Sequence, residues 1–272
     1  MNKFNYIHLD VTKTLSSGQT FLWEEDPKIG YIGHFTDKII ILNNKKNKWF
    51  WQTYPDKDNF EFIESYFNLD YVFDESYLLN DSILTKAYDK YKGTHILKQP
   101  LEETVLSFIL ASNKSIKAIK TSLNKLMKMQ NKSIQTDFGD SLLFPSAEYI
   151  NLIEINKLAK SGSGYRTKYL KDAAFRLTSE RLDLTQNSFK TRNKLKEFLG
   201  IGDKIADCIL TFSVGHKDIT PIDRWSERII TDLYNQELPK KYEDKRKWFK
   251  NKFNENTALA GQILFEYIRN ST

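Results

Sequence analysis

Cysteine is almost absent from this sequence: Cys208 is the single thiol in 272 residues. That excludes a disulfide framework, a four-cysteine zinc site and a four-cysteine iron–sulfur cluster. Histidine is scarce as well. His8, His34, His95 and His216 are widely separated and show no metal-ligand spacing. The chemistry is therefore sought in a mechanism without a catalytic metal. No run approaches the roughly 18 consecutive apolar residues that a membrane span needs. Met1–Leu9 lacks the apolar core of a secretory signal. The expectation is a soluble intracellular protein, neither secreted nor tied to a membrane.

What is present is ordinary in amount and suggestive in kind. Aromatic residues make up 14% of the chain, enough for many large side chains to pack or stack. Lys and Arg outnumber Asp and Glu by 41 to 35, a formal charge of +6. A basic balance suits a polyanion, because each phosphate neutralised releases counterions. Lysine-rich composition alone gives the same sign, so charge by itself does not decide for nucleic acid.

Along the chain the hydrophobic period changes once. Residues 1–58 read as strands, with Tyr31–Phe35 and Lys38–Leu42 split by Thr36-Asp37. The second run turns back through Asn43-Asn44 and a lysine-rich loop to Lys48–Tyr54, an antiparallel meander. From Asn59 the spacing is helical: Phe60, Ile63 and Phe67, then Ile83, Leu84 and Ala87 behind the cap-like Asn80-Asp81. Pro100 opens a helix whose stripe is Leu101, Val105, Leu106, Ile109 and Leu110. A second stripe follows at Ile116, Ile119, Leu123 and Leu126. Helical signal continues after Pro145, is interrupted by Ser161-Gly162-Ser163-Gly164, and resumes to the C-terminus. The fold class is α+β: an N-terminal antiparallel β-sheet domain with flanking helices over 1–95, then an all-helical body over 96–272. That body is expected to be two helical subdomains with a cleft between them.

The segment from Phe198 to Leu210 carries the most information. Gly200 and Gly202 lie two apart between helical patterns, where glycine permits positive φ and close backbone approach. Amides at the start of the next helix form an anion site suited to a DNA phosphate. A plain helix–helix turn with a glycine cap fits the same pattern. Lys204 falls in the first turn of that helix, where the dipole and burial both disfavour an ammonium. A depressed pKa would make it a nucleophile, although a phosphate-contacting lysine also fits. Further on, Asp223 precedes the apolar helical run Trp225, Ile229, Ile230 and Leu233. It is a good N-cap, and a capping carboxylate can also stabilise a developing sugar cation.

The stretch Gly200-Ile201-Gly202-x-Lys204-x-Ala206-Asp207-Cys208, followed by Pro221-Ile222-Asp223, resembles the helix-hairpin-helix DNA glycosylase superfamily. The Lys and Cys within it resemble those of 8-oxoguanine DNA glycosylases. Ser17-Gly18-Gln19-Thr20-Phe21-x-Trp23 is similar to a motif in that family's N-terminal β domain, which points to its three-domain type. The resemblance implies a bifunctional glycosylase/AP lyase that flips 8-oxoguanine from duplex DNA. Lys204 would be the Schiff-base nucleophile and Asp223 the essential carboxylate. Gly18 would accept from the N7–H that oxidation adds, and Cys208 and Phe265 would flank the base. Asn113 and Tyr165 would fill the gap, with Arg166 on the orphaned cytosine and Gly200 and Gly202 on phosphate.

Four positions depart from the family pattern. Lys114 stands where a second Asn is usual, and is expected at the DNA; Ala118 stands where an arginine is usual, which weakens cytosine readout. Trp225 replaces a His of the animal-type motif. The base-reading Gln position is Gly261, with Gln262 displaced by one and carried as its candidate substitute. The resemblance implies a monomer acting on double-stranded DNA, in the nucleoid or nucleus. It requires no cofactor, though a structural monovalent cation at the hairpin stays open. An alkylated-base glycosylase would not need Lys204. A non-catalytic helix-hairpin-helix DNA-binding protein would need neither Lys204 nor Asp223.

Overall fold

Four consecutive aliphatic residues, Ile39–Leu42, have no exposed surface. Alternate side chains of a strand point to opposite faces, so a strand apolar at every position needs cover on both sides. The computed structural model, which describes residues 1–272 except 5–7, 47, 72, 74, 181, 183, 185, 186 and 272, supplies both covers. Strands β1 (Asn2–Lys3), β2 (Trp23–Asp26), β3 (Gly30–His34), β4 (Ile39–Lys45) and β5 (Lys48–Tyr54) form an antiparallel sheet in the order β1-β5-β4-β3-β2. A short helix, α1 (Val11–Ser16), precedes β2, and α2 (Phe60–Phe67) follows β5. Ile40 and Leu42 share a buried cluster with Trp23, Phe35, Tyr66 and Phe67. Ile39 and Ile41 cluster on the other face with Tyr54 and Leu143.

The helices run α3 (Ser82–Tyr91), α4 (Leu101–Ala111) and α5 (Ile116–Gln130), then a hairpin of β6 (Ser133–Thr136) and β7 (Gly139–Leu142). After it come α6 (Ala147–Leu152), α7 (Ile155–Ala159), α8 (Thr167–Ser179) and α9 (Ser188–Leu195). The chain ends with α10 (Asp203–Ile209), α11 (Arg224–Arg228), α12 (Tyr242–Phe253) and α13 (Thr257–Arg269). A π-helical turn extends each of α10 and α11. Among the described residues, no helix is long and apolar enough to cross a membrane.

Three expectations needed correction. Residues 1–58 are not all strand, because Asp10 accepts from Lys13 N–H and caps α1, which buries Val11 and Leu15. The β4–β5 turn lies beyond Asn43-Asn44, which pair with Phe50 and Trp49 inside the ladder. The helical body holds the β6–β7 hairpin, without which the Ile39–Ile41 face of the central strand would lose part of its cover. Phe144 N–H donates to the Phe35 carbonyl (2.9 Å) just after it and brings Leu143 onto the sheet.

Helix α4 lies between the two large cores. Its Val105, Leu106, Ile109 and Leu110 belong to the cluster shared with the sheet. Its Phe108 belongs to the other, with Cys208 and α11–α13. The first turn is anchored by its own acids: Glu103 Oε1 accepts from Thr36 N–H and hydroxyl (3.0 Å each), and Glu102 accepts from Ala147 N–H.

Candidate active site

Gly200 adopts φ +84°, and a Cβ there would come within 2.5 Å of the Tyr169 ring. Only glycine fits the hairpin at that point. Gly202 has ordinary φ, caps α10 and meets nothing within 4 Å, so its surroundings are open to an approaching backbone. Two residues later Lys204 projects from the first turn of α10. Its Nζ is 3.3 Å from Asp223 Oδ2. Asp223 divides its oxygens: Oδ1 accepts from Trp225 and Ser226 N–H (2.9 and 3.2 Å), capping α11, and Oδ2 faces the lysine. The local reading of Asp223 as a cap and the chemical reading as a carboxylate beside an amine hold together.

Lys204 is not buried as expected. Its side chain is 52% exposed, because the first turn of α10 forms the rim of the cleft beside the open Gly202. The pair opens on a cavity of about 1070 Å³. Cys208 lies four residues along α10 in its wall, and burial pushes the thiol up to about 12, so it stays protonated.

Gly18 reaches the same cavity at φ +82°, and a Cβ there would meet Arg269 Nη1 at 3.4 Å and Phe265 at 3.8 Å. Its neighbours hold it in place. Gln19 is fully buried; its Nε2 donates to His95 O (2.8 Å) and Ser17 Oγ (2.9 Å), and its Oε1 accepts from Leu97 N–H (2.9 Å). Gln99 Nε2 donates to the Gln19 carbonyl (2.7 Å). Phe265, on α13, lines the cavity, and the Arg269 guanidinium stacks on its ring at 5.1 Å.

Gln262 lines the cavity but is committed: its Nε2 donates to the Ser17 carbonyl (2.8 Å), which ties α13 to the Gly18 loop. Gly261 also has a structural reason. A Cβ there would lie 2.3 Å from Thr220 Oγ1, so no glutamine can occupy that position while α13 and the Thr220 loop stay this close.

On the other side of the cleft, Asn113 sits in the left-handed region (φ +50°) between α4 and α5, and its Nδ2 is 3.4 Å from the Tyr165 hydroxyl. Tyr165 is 51% exposed. Arg166 and Lys114 do not project beside them. Arg166 is only 6% exposed; its guanidinium donates to the carbonyls of Ser112, Asn113 and Ser163 and stacks on Tyr165. Lys114 Nζ donates to Ser122 Oγ and the Gly162 carbonyl (2.8 Å each). Burial and the nearby Arg166 lower its pKa. Both are engaged in contacts that clamp two loops together, supplying donors to loop carbonyls.

Sequence reasoning missed the roles of Asp207 and Tyr242, whose partners lie far along the chain, so no local spacing marks them; it also missed Arg269, although its spacing of four from Phe265 on one helix was there to be read.

A profile of the 8-oxoguanine DNA glycosylase N-terminal domain matches residues 2–105. An N-glycosylase/DNA lyase of Saccharomyces cerevisiae is 27% identical over 263 residues, spanning 85% of this chain and 69% of that protein. An N-glycosylase/DNA lyase of Arabidopsis thaliana is 22% identical over 286 residues, spanning 97% and 78%. A solved complex of Clostridium acetobutylicum 8-oxoguanine glycosylase/lyase with double-stranded DNA containing cytosine opposite 8-oxoguanine superimposes with a TM-score of 0.85. It is 26% identical and covers 97% of this chain and 93% of that one. The hairpin, the helical body and the Lys204–Asp223 pair define a helix-hairpin-helix fold of the DNA glycosylase class. Within that class, the chain is similar to the 8-oxoguanine glycosylases that carry this N-terminal domain.

Proposed function

We infer that this chain is a bifunctional DNA glycosylase/AP lyase that removes 8-oxoguanine from double-stranded DNA. The observation that carries the reading is the amine of Lys204 held 3.3 Å from Asp223 at the mouth of a cavity walled by Gly18 and Phe265.

An enzyme acting on a base inside a duplex must first take that base out of the stack, at a cost of a few kcal/mol. Asn113 and the exposed Tyr165 fill the space it leaves, while the open backbone at Gly202 receives phosphate. The extruded base enters between Phe265 and Cys208, an apolar slot for its flat faces. At its edge the Gly18 carbonyl accepts the N7–H that guanine lacks. A buried acceptor facing normal guanine would lose its partner, which penalises the undamaged base.

Lys204 then attacks C1′ of the sugar. The C1′–N9 bond breaks, its electron pair leaves with the base, and the base is protonated. The amine must shed its proton to attack, and Asp223 Oδ2 is the nearest carboxylate to receive it. Passed on from Asp223, that proton neutralises the departing base, and the carboxylate so restored stabilises the positive charge on the sugar. The lysine–sugar adduct opens to an imine, loss of a C2′ proton expels the 3′ phosphate, and water releases the lysine. Neither a redox cofactor nor a metal is required by these steps.

An alkylated-base glycosylase or a non-catalytic DNA-binding protein would leave Lys204 without a task. Borohydride trapping on an 8-oxoguanine duplex separates them. The expected result is a covalent adduct with the wild-type chain and none with Lys204→Gln. Base release without any adduct would indicate a monofunctional enzyme, and binding with neither would indicate a binding protein.

A further inference from the structure

The steps above use Lys204 and Asp223 but leave unexplained what sets their separation. They stand on different segments, one in α10 and one at the start of α11, and 3.3 Å is a demanding distance. Beneath them lies Asp207, on α10 three residues after Lys204 and 0% exposed. Its Oδ1 is 3.1 Å from Arg192 Nε of α9, and its Oδ2 is 3.0 Å from Arg246 Nε of α12. Tyr242, at the start of α12, donates its hydroxyl to Asp207 Oδ2 (2.9 Å). The same hydroxyl accepts from the backbone N–H of Ile222 (3.1 Å), the residue before Asp223. One oxygen atom therefore touches both segments that carry the reacting groups. Tyr242 also lines the cavity, so the link runs along its floor.

We propose that Tyr242 and Asp207 are positioning residues that fix the Lys204–Asp223 distance, by coupling α10 to the Pro221–Asp223 segment through a single hydroxyl. The proposal rests on the catalytic reading of that pair. Stability alone is a poor reason for Asp207. A buried carboxylate between two guanidiniums recovers its lost hydration only in part, and apolar residues of similar size often serve the fold equally well. Burial pushes the Asp207 carboxyl up to about 6 even with both arginines against it. The phenol of Tyr242 is driven far above its ordinary range, first by burial and then by Asp207, so it remains a donor. What the arrangement does provide is direction. Arg192 also holds Asp203 Oδ1 at 3.2 Å and Glu243 Oε2 at 3.1 Å, so the carboxylate that accepts the Tyr242 hydrogen bond is fixed from α9, α10 and α12 together.

The test is Tyr242→Phe, which keeps the ring under the Arg192 guanidinium (5.4 Å) and deletes only the hydroxyl. Steady-state excision, single-turnover adduct formation, duplex affinity and melting temperature are measured on the same 8-oxoguanine duplex. Displacement of a reacting group by about 1 Å can cost on the order of a hundredfold in rate. The expected result is a fall in kcat and in borohydride adduct formation by about tenfold to a hundredfold, with KM and duplex affinity unchanged. Asp207→Leu gives a second reading, since an apolar side chain of similar size removes the acceptor of the Tyr242 hydroxyl. Combined with Tyr242→Phe it should add nothing to the rate loss if the two act as a unit. Wild-type excision rates in Tyr242→Phe, strictly additive losses, or a loss matched by equal losses in affinity and melting temperature would each overturn the proposal. Wild-type chain without a Lys204-dependent adduct would instead bring down the catalytic reading, and the positioning role with it.

Discussion

Lys204 and Asp223, on one side of the cleft, stand at the ends of helices, whereas Asn113 and Tyr165, on the other, stand on turns. The supports differ as much as the platforms. Behind the first pair is a buried set of opposite charges centred on Asp207. Behind the second are two cations, Arg166 and Lys114, turned inward onto backbone carbonyls. The difference fits what the proposed function asks of each side. A nucleophile and its carboxylate need a fixed distance, which side-chain networks linking several helices can hold. A plug for vacated duplex space needs a stiff loop shape, and donors spread over many carbonyls can impose one.

Lys204→Gln should produce the largest change: excision and adduct formation fall by about 10³-fold or more, while an 8-oxoguanine duplex still binds in a gel-shift assay. If activity survives, the helix-end side of the cleft has been given the wrong task. Gly200→Ala should follow. Its positive φ and the Tyr169 ring at 2.5 Å predict a stability loss of about 1–3 kcal/mol in thermal melts. Gly202→Ala, with open space and ordinary φ, should melt like the wild type and lose affinity for any duplex, lesion or not. Equal melting losses at both glycines would show that the hairpin serves the fold alone.

Arg166→Met probes the turn side. Stripping donors from the Ser112 and Asn113 carbonyls should cost about 1–3 kcal/mol, read as a lower melting temperature. Tyr165→Ala, at an exposed ring, should leave melting nearly unchanged and weaken lesion-specific binding. The reverse order would mean that Arg166 is free to reach DNA after all.

The smallest effect concerns pH. Folding lifts the Asp207 carboxyl from 3.8 to about 6, so the folded chain keeps a proton that the unfolded chain has lost in that window. Its contribution to stability is complete below 3.8 and is lost as pH rises through about 6. Asn at 207 has nothing to titrate. Melting of Asp207→Asn relative to wild type should therefore shift in the variant's favour as pH rises across that interval. A shift in the opposite direction would mean that the two arginines outweigh burial.

Much of this was legible in the sequence where the signal was local. The α4 stripe, the Asp223 cap and the Gly200–Lys204 hairpin each declare themselves within a few residues, because capping, helical periodicity and glycine geometry act over one or two turns. The inward turn of Arg166 and Lys114 was not legible, since long cations are usually exposed and nothing nearby announces that carbonyls await them. Asp207 was visible as a motif letter but not as a hub, because Arg192 and Arg246 approach it from separate helices. Gly261 looked like a lost function, and its cause, Thr220, lies on a separate loop far upstream. The β6–β7 hairpin escaped because its residues are mostly polar and its purpose is to cap someone else's strand face.

Helix α4 begins just after Gln99, which holds the Gln19 carbonyl, and ends just before Asn113. Eleven residues at 1.5 Å each make it a rod of about 16 Å. The Gly18 loop and Asn113, to which the proposed function gives the extruded base and the gap it leaves, are thus mounted at opposite ends of one rod, so a single helix sets the spacing between them.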